Sequence, residues 1–289
     1  MSEIRSTEGE GRESLPPELI HSLHVRAKNV RRNILLMAKG KGQGYVGQGL
    51  GAADILTALY CHEMRFDPQL LDWPDRDRFL LSTGHYSIAL FAVLAELGVI
   101  PREELSSYGA DESRLEMSAC ETTPGVEITG GSLGHGLSQA VGMAIGSRLS
   151  GRNFRVYNFL SDGELQEGAT WEAAMAAAHY KLDNLVALVD VNETQADGKV
   201  ADIMTVEPVA DKWKAFGWYA QTINGNSIQE LVLALSLARS VKDSPKMIVC
   251  HTLMGKGVLF LEQRQKAHFI RVDPDEWESA LSQLEASNP

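Results

Sequence analysis

The sequence has few cysteines, no excess of positive charge and no long apolar run. Three cysteines among 289 residues, with no Cys-x-x-Cys pair, indicate free thiols instead of a disulfide framework or a zinc site. No apolar stretch approaches the ~20 residues that a membrane span needs, and the polar start lacks the apolar core of a signal peptide. We therefore expect a soluble protein of the reducing cytoplasm.

The charge balance is acidic, with 27 Lys and Arg against 38 Asp and Glu and a net charge of −11. Nucleic acids and anionic membranes usually require a basic face, so neither is an expected partner. A phosphorylated ligand is still compatible if a metal ion supplies local positive charge. Residues 1–17 are polar and end in two prolines, which predicts a flexible tail before a single domain at 18–289.

Short apolar segments alternate with helical patterns along the rest of the chain. This alternation predicts an α/β fold, a doubly wound and mostly parallel sheet with helices on both faces. The glycine-dense stretch 40–51 is predicted as a loop, either approaching a ligand closely or serving as a flexible connector. The predicted strands are RFLLS (78–82), FRVYNFL (154–160), NLVALVDV (184–191), WYAQTI (218–223) and KMIVCHT (246–252).

Two strand ends carry polar side chains suited to a metal. Asp162 follows one predicted strand and Asn192 follows the next, with one crossover helix between them. Parallel strands bring such ends to one edge of the sheet, where ligands bind. A carboxylate, an amide oxygen and a backbone carbonyl suit Mg²⁺ or Ca²⁺, and Gly163 would let a diphosphate approach the backbone. Taken singly, Asp-Gly is usually a turn and Asn a cap; the pairing is more specific.

This region resembles the thiamine-diphosphate motif of transketolases. The matching segment runs from SDGELQEG to DVNETQADG, and three further segments are also similar: RDRFLLSTGHYSIALFAVLAELG, TPGVEITGGSLGHGLSQAVGMAIGSRL and HTLMGKGVLFLE. The resemblance covers roughly residues 20–285. Ser161 replaces the usual first glycine of the turn, one small residue for another.

The resemblance implies a site for thiamine diphosphate and Mg²⁺, which Ca²⁺ or Mn²⁺ could replace. The implied metal ligands are Asp162, Asn192 and the main-chain carbonyl of Thr194. The implied cofactor-binding residues are Gly131 and Leu133 at the aminopyrimidine end, and Asp162, Gly163, Glu164 and Asn192 at the diphosphate end. Glu167 resembles a carboxylate that couples two sites across a subunit interface, or it is simply an acid at a helix start.

Three histidines are candidate catalytic residues. His85, in STGH, resembles a family histidine that faces substrate and cofactor, where it exchanges protons with substrate hydroxyls. His135 stands where many relatives have Gln, and His268 lies near the position of a late active-site histidine. For each one the alternative is a histidine that is merely packed or solvated.

Two departures from the family pattern concern the substrate. Tyr45 stands where the family has its first active-site histidine. A second histidine of the middle loop is also missing, since that stretch offers only Ser118, Ala119 and Cys120. Both family histidines contact hydroxyls of the donor ketose. Cofactor binding should survive their loss, whereas the choice of donor should change, which makes Tyr45 the candidate specificity residue.

A third departure concerns the second half of the active site. The sequence shows no second α/β domain with the glutamate that contacts the aminopyrimidine ring and promotes ylid formation. We therefore expect a C-terminal transketolase-like subunit to supply it, in an α2β2 heterotetramer. The expected activity is transfer of a two-carbon ketol unit to an aldehyde. Alternatives are decarboxylative carboligation from a 2-oxo acid, and a non-catalytic binding or regulatory subunit.

Overall fold

The computed structural model describes residues 15–264 and 268–287. The strands are β1 (Gln43–Gly44), β2 (Arg78–Leu81), β3 (Val156–Ser161), β4 (Leu185–Val191), β5 (Thr194–Gln195), β6 (Gly198–Lys199), β7 (Tyr219–Asn224), β8 (Lys246–His251) and β9 (Ile270–Arg271). The predicted tail 1–17 lies mostly outside the described residues, and the first helix begins at its last residue, Pro17. That residues 18–289 form one domain stays a prediction.

Helices connect these strands. The α-helices are α1 (Pro17–Lys41), α2 (Val46–Ala58), α3 (Ser87–Glu96), α4 (His135–Leu149), α5 (Gly168–His179), α6 (Val200–Ile203), α7 (Val209–Ala215), α8 (Ile228–Ser240), α9 (Leu259–Glu262) and α10 (Pro274–Ala286). A π-helical turn at Leu59–Glu63 continues α2, and 3-10 turns lie at Gly84–Tyr86, Arg102–Ser107 and Gly163–Gln166. None of the helices in the described part of the chain is long and apolar enough to cross a membrane.

The main sheet has five strands in the order β2-β3-β4-β8-β7, and every pairing in it is parallel. In the register of the two central strands, Ser161 lies opposite Asp190. Parallel strands end on the same edge, so the segments that follow β2, β3, β4 and β8 emerge side by side. The predicted α/β fold with a parallel sheet is confirmed.

Apolar residues cover both faces of this sheet, which is the doubly wound arrangement. On one face, strand residues such as Phe79 and Phe159 pack in a core with α1, α2, α3, α8 and α10. On the other face, Leu80 and Leu160 pack with α4, α5 and α7. Alternate residues of a strand point to opposite faces, so near-continuous apolar runs are needed to fill both cores.

The prediction of a loop over 40–51 was wrong. Helix α2 begins at Val46, and its glycines are buried within it. A side chain on Gly49 would come within 2.9 Å of Ile88, and one on Gly51 within 3.1 Å of the Leu253 carbonyl oxygen. Glycine is a poor helix former, but close packing against neighbours requires it here. Tertiary packing therefore makes this segment helical, although its local helix propensity is low.

Two short strands near opposite ends of the described chain form an antiparallel pair. Strand β9 pairs with β1, with Ile270 opposite Gly44. The pairing places the segment just before β9 beside the start of α2. It joins positions more than 200 residues apart, and two-residue strands carry no periodicity, so the sequence did not predict it.

The three cysteines, Cys61, Cys120 and Cys250, are free thiols, as predicted. Cys250 is buried in β8, and the other two are partly buried. A cytoplasmic location stays a prediction.

Candidate active site

A cavity of about 290 Å³ opens at the carboxyl edge of the sheet. Most of the residues singled out from the sequence line it, namely Tyr45, His85, Gly131, Leu133, Asp162, Gly163, Glu167, Thr194 and His268. They come from segments far apart in the chain, which the parallel topology brings to one edge. The cavity is therefore the candidate active site.

The turn after β3 holds Asp162 rigidly. Its side chain accepts hydrogen bonds from the backbone N–H of Gly163 at 2.8 Å and from that of Glu193 at 2.9 Å. The second bond links the loop after β3 directly to the loop after β4. Glu193 has a φ of 63°, a left-handed conformation that aims its N–H at the carboxylate. An ionised carboxylate accepts more than two bonds, so Asp162 keeps capacity for a cation.

Asn192 is oriented by buried neighbours. Its Nδ2 donates to Asp190 at 2.7 Å and to the hydroxyl of Tyr86 at 3.0 Å, while its Oδ1 accepts from the N–H of Thr194 at 3.1 Å. The amide can satisfy these partners in one orientation only, since its nitrogen must face the carboxylate. The oxygen consequently points toward the Thr194 loop. Sequence reasoning missed Asp190, because it sits within an apolar strand, and Tyr86, which directly follows His85.

Two buried carboxyl groups lie close together in the site. Burial and the neighbouring Asp190 raise the pKa of Asp162 to about 7. Burial likewise raises the pKa of Asp190, against the hydrogen bonds that it accepts. In the described residues neither carboxylate pairs with Lys or Arg. A divalent cation beside Asp162 would stabilise its ionised form.

The donor set fits a hard cation. Among the described residues no group of three or more His, Cys, Asp and Glu side chains could hold a metal ion. What the edge offers instead is Asp162 and Thr194, which line the cavity, and the amide oxygen of Asn192, which does not line it but accepts the N–H of Thr194. Such oxygen ligands suit Mg²⁺ or Ca²⁺, with ligand oxygens and water completing the shell.

Two glycine-rich loops meet backbone to backbone beside the cavity. A side chain on Gly84 would come within 2.5 Å of the Gly130 carbon and the Gly131 nitrogen. Only glycine permits this approach. The contact fixes the backbone of the loop that carries Gly131 and Leu133, and both of these residues line the cavity.

Aromatic rings cluster at one part of the cavity. Tyr45 lies 5.0 Å from His85, 5.6 Å from His268 and 5.0 Å from Phe269, measured between ring centroids. The two imidazoles are 5.4 Å apart. The pairing of β1 with β9 creates this cluster, and Phe269 was not predicted from the sequence.

Burial also sets the charge of the two imidazoles. Desolvation, with the other imidazole adding to it, lowers the pKa of His85 to about 4. Desolvation lowers the pKa of His268 as well, against an opposing effect of Asp197. Near neutral pH both rings are therefore uncharged, each with one N–H donor and one nitrogen acceptor.

The structure does not bring every predicted residue into the cavity. His135 is exposed at the first residue of α4 and does not line it. Glu164 is fully buried behind the cavity wall. Glu167 lines the cavity and is exposed, directly before α5. The roles assigned to these three residues, like those of the other candidate site residues, stay predictions.

Comparison with known proteins decides the family. The model of the family described as "Transketolase, thiamine diphosphate binding domain" matches residues 26–286. The chain belongs to the transketolase family. A transketolase family protein of Sinorhizobium fredii is 52% identical over 267 residues, which are 92% of this chain and 96% of that protein. The 6-deoxy-6-sulfo-D-fructose transketolase subunit SqwG of Clostridium sp. is 40% identical, over 89% of this chain and 94% of its own.

Solved transketolases share the fold. The Leishmania mexicana enzyme superimposes with a TM-score of 0.85 at 29% identity, over 91% of this chain and 41% of that one. The Campylobacter jejuni enzyme gives 0.85 at 30% identity, over 91% and 42%. This chain thus spans about two fifths of the length of these transketolases and corresponds to their thiamine-diphosphate-binding domain.

We expect His85 to stay uncharged well below neutral pH, because Tyr45 and the sheet edge exclude water from it. Its depressed folded pKa implies stability that is present above the ordinary 6.5 and lost as the pH falls toward 4. Imidazole NMR, assigned with His85→Gln, should show no titration of this ring between pH 8 and 5. Tyr45→Ala should move the titration back toward 6.5. A wild-type titration near 6.5 would contradict the buried cluster.

Proposed function

We propose that this chain is the thiamine-diphosphate- and Mg²⁺-binding subunit of a two-chain transketolase-like transferase. It would move a two-carbon ketol unit from a donor to an aldehyde acceptor. One observation carries the proposal: Asp162 and Asn192 lie on adjacent strand ends, joined by a hydrogen bond from Glu193 to Asp162, at the edge of a transketolase-family fold. That arrangement supplies the oxygen ligands that a metal-bound diphosphate needs.

In this proposal one set of residues binds the cation and another set binds the aminopyrimidine ring of the cofactor. Asp162, the Oδ1 of Asn192 and the carbonyl of Thr194 hold the cation, for which Ca²⁺ or Mn²⁺ can substitute. Gly131 and Leu133 hold the aminopyrimidine end. Bound thiamine diphosphate supplies an electron sink for making and breaking the bond next to a carbonyl.

His85 and His268 act on the substrate. Being neutral, each imidazole accepts a proton from a substrate hydroxyl at its free nitrogen, or donates one from its N–H. The aromatic cluster keeps bulk water from that end of the cavity. Excluding water strengthens these hydrogen bonds and would limit unwanted proton transfer from solvent.

A second chain completes the site in this proposal. SqwG and an apulose-4-phosphate transketolase component of Actinobacillus succinogenes are both named as subunits, and this chain matches 94% and 95% of their lengths. Solved transketolases of more than twice the length carry further protein beyond the matching part. The second chain would contribute the glutamate that activates the cofactor.

The surface of α4 supports pairing of two copies, and hence an α2β2 assembly. Small and apolar residues occur on every side of this helix, a composition typical of a buried helix. Yet Leu149 is 83% exposed, and the Cα positions of Gly142 and Gly146 face open space. Met175 on the adjacent α5 is 55% exposed. A two-fold contact would bury this face against its own copy.

The aromatic wall favours a second candidate reaction, carboligation from a 2-oxo acid. Tyr45 and Phe269 present apolar rings where the family pattern has a histidine that binds hydroxyls. A non-catalytic role is less well supported, since Asp190, Tyr86 and Asn192 form a complete buried network around the metal position. A chain with a retired site would also have no physical need to keep Asp162 and His85 together in this cavity.

The metal assignment predicts that thiamine diphosphate binds only with a divalent cation. Without the ion, the diphosphate would face the Asp162 carboxylate directly. Calorimetry on the assembled complex should show binding with Mg²⁺ and none in EDTA, and the double variant Asp162→Ala with Asn192→Ala should not bind. The matched control is Asp211→Asn, an exposed aspartate away from the cavity. Unchanged affinity in EDTA or in the double variant would refute the assignment.

The Tyr45 wall predicts poor turnover of ordinary sugar-phosphate donors. A tyrosine hydroxyl accepts hydrogen bonds less well than a neutral imidazole, and its ring narrows and dries the pocket. The loss of one hydrogen bond to a substrate hydroxyl costs about 1–3 kcal/mol, or roughly one to two powers of ten in rate. Tyr45→His should therefore raise kcat/KM for xylulose 5-phosphate and fructose 6-phosphate by that amount relative to pyruvate.

Tyr180→His, at an exposed tyrosine far from the cavity, is the control for the added imidazole. If the wild-type complex already uses xylulose 5-phosphate as well as any other donor, and Tyr45→His only slows it, Tyr45 does not select the donor.

A further inference from the structure

Helix α4 begins without a side-chain cap of its own. The first N–H groups of a helix lack partners within it and need acceptors from elsewhere. Here they are supplied by two other loops. The N–H of Gly134 donates to Glu164 Oε1 at 2.7 Å, and the N–H of Gly136 donates to Ser82 Oγ at 3.0 Å.

The two acceptors also bond to each other, since the Ser82 hydroxyl donates to Glu164 Oε1. Ser82 follows β2, and Glu164 follows the Asp162-Gly163 turn after β3. Three segments from different parts of the chain are thus tied at one point. Ser82 is 1% exposed and Glu164 is 0% exposed, so water does not compete for these bonds.

The point of attachment leaves no room for adjustment. A side chain on Gly136 would come within 2.3 Å of Ser82, and one on Gly134 within 2.8 Å of Glu167. Gly134 also has a φ of 87°, a left-handed conformation that favours glycine. The loop that carries Gly131 and Leu133 is therefore set against the Asp162 turn at one fixed separation.

Only one of the two carboxylate oxygens of Glu164 makes these hydrogen bonds. Its second oxygen, Oε2, is buried and has no hydrogen-bond partner among the described residues. An unsatisfied buried polar atom is rare in proteins and calls for an explanation. If helix stability were the only requirement, a serine or asparagine at the N-cap position would supply the acceptor. A long side chain reaching from the metal-side turn suits a different task, holding two loops together.

We propose that Glu164 and Ser82 are positioning residues that fix the two ends of the cofactor cavity relative to each other. Neither side chain lines the cavity, so the role proposed here for Glu164 replaces the direct cofactor contact that the family resemblance implied. The inference rests on the proposed function, in which the diphosphate lies at Asp162 and the aminopyrimidine ring lies at Gly131 and Leu133. The affinity of a ligand that contacts both ends depends on the distance between them. The affinity of a ligand that contacts only one end does not.

Two probes of different length test this in the full chain assembled with its second chain. Thiamine diphosphate reaches both ends, whereas inorganic pyrophosphate with Mg²⁺ reaches only the Asp162 end. Calorimetry on Glu164→Leu should show a 10- to 100-fold weaker Kd for thiamine diphosphate, the loss typical of an outer hydrogen-bond partner. The Kd of pyrophosphate should change by less than about threefold, because the metal side stays intact.

Two further variants keep the test decisive if Glu164→Leu does not fold. Ser82→Ala removes one hydroxyl and should show the same selective loss at smaller size. Glu164→Gln keeps an acceptor oxygen in place and should bind both probes within about threefold of wild type. Equal losses for the two probes, or no loss for either, would overturn the inference.

Asp162→Ala separates this inference from the proposed function. It should abolish binding of both probes. If Asp162→Ala leaves both affinities unchanged, the metal site itself is wrong. If Asp162→Ala abolishes binding while Glu164→Leu and Ser82→Ala bind thiamine diphosphate normally, only the positioning role is wrong.

Discussion

The buried carboxylate of Asp190 holds the carboxyl edge of the sheet together. It accepts hydrogen bonds from the side chains of Tyr86 at 2.6 Å, Asn192 at 2.7 Å and Thr252, and its backbone carbonyl accepts the N–H of Asp162 at 2.9 Å. These partners follow four neighbouring strands. A fully buried carboxylate is costly unless donors surround it. The geometry of the whole candidate site depends on that requirement being met.

Much of this arrangement was predictable, for a physical reason. Strands of a parallel sheet are buried on both faces, so they appear as apolar runs, and a polar residue directly after such a run stands out. Asp162 and Asn192 were found in this way, one crossover helix apart. Asp190 was not, because it lies inside its run, at a position where a strand residue is expected to be apolar.

Other features could not be predicted because they depend on contacts between distant segments. The glycines of α2 predict a loop from sequence alone. They lie in a helix because Ile88 and Leu253 pack closely against it. The cluster of Tyr45, His268 and Phe269 requires β1 to meet β9, and strands of two residues leave no pattern. In the proposed function this cluster faces the donor substrate, and its apolar ring at Tyr45 stands where the family pattern has histidine.

The central claim is that this chain carries half of an active site and has no carboligase activity by itself. The most direct test is to purify it alone and together with its second chain, and to measure mass by light scattering and carboligation with thiamine diphosphate and Mg²⁺. We expect no product from this chain alone. The co-purified pair should be active and contain two copies of each chain. Turnover by the isolated chain would contradict the claim.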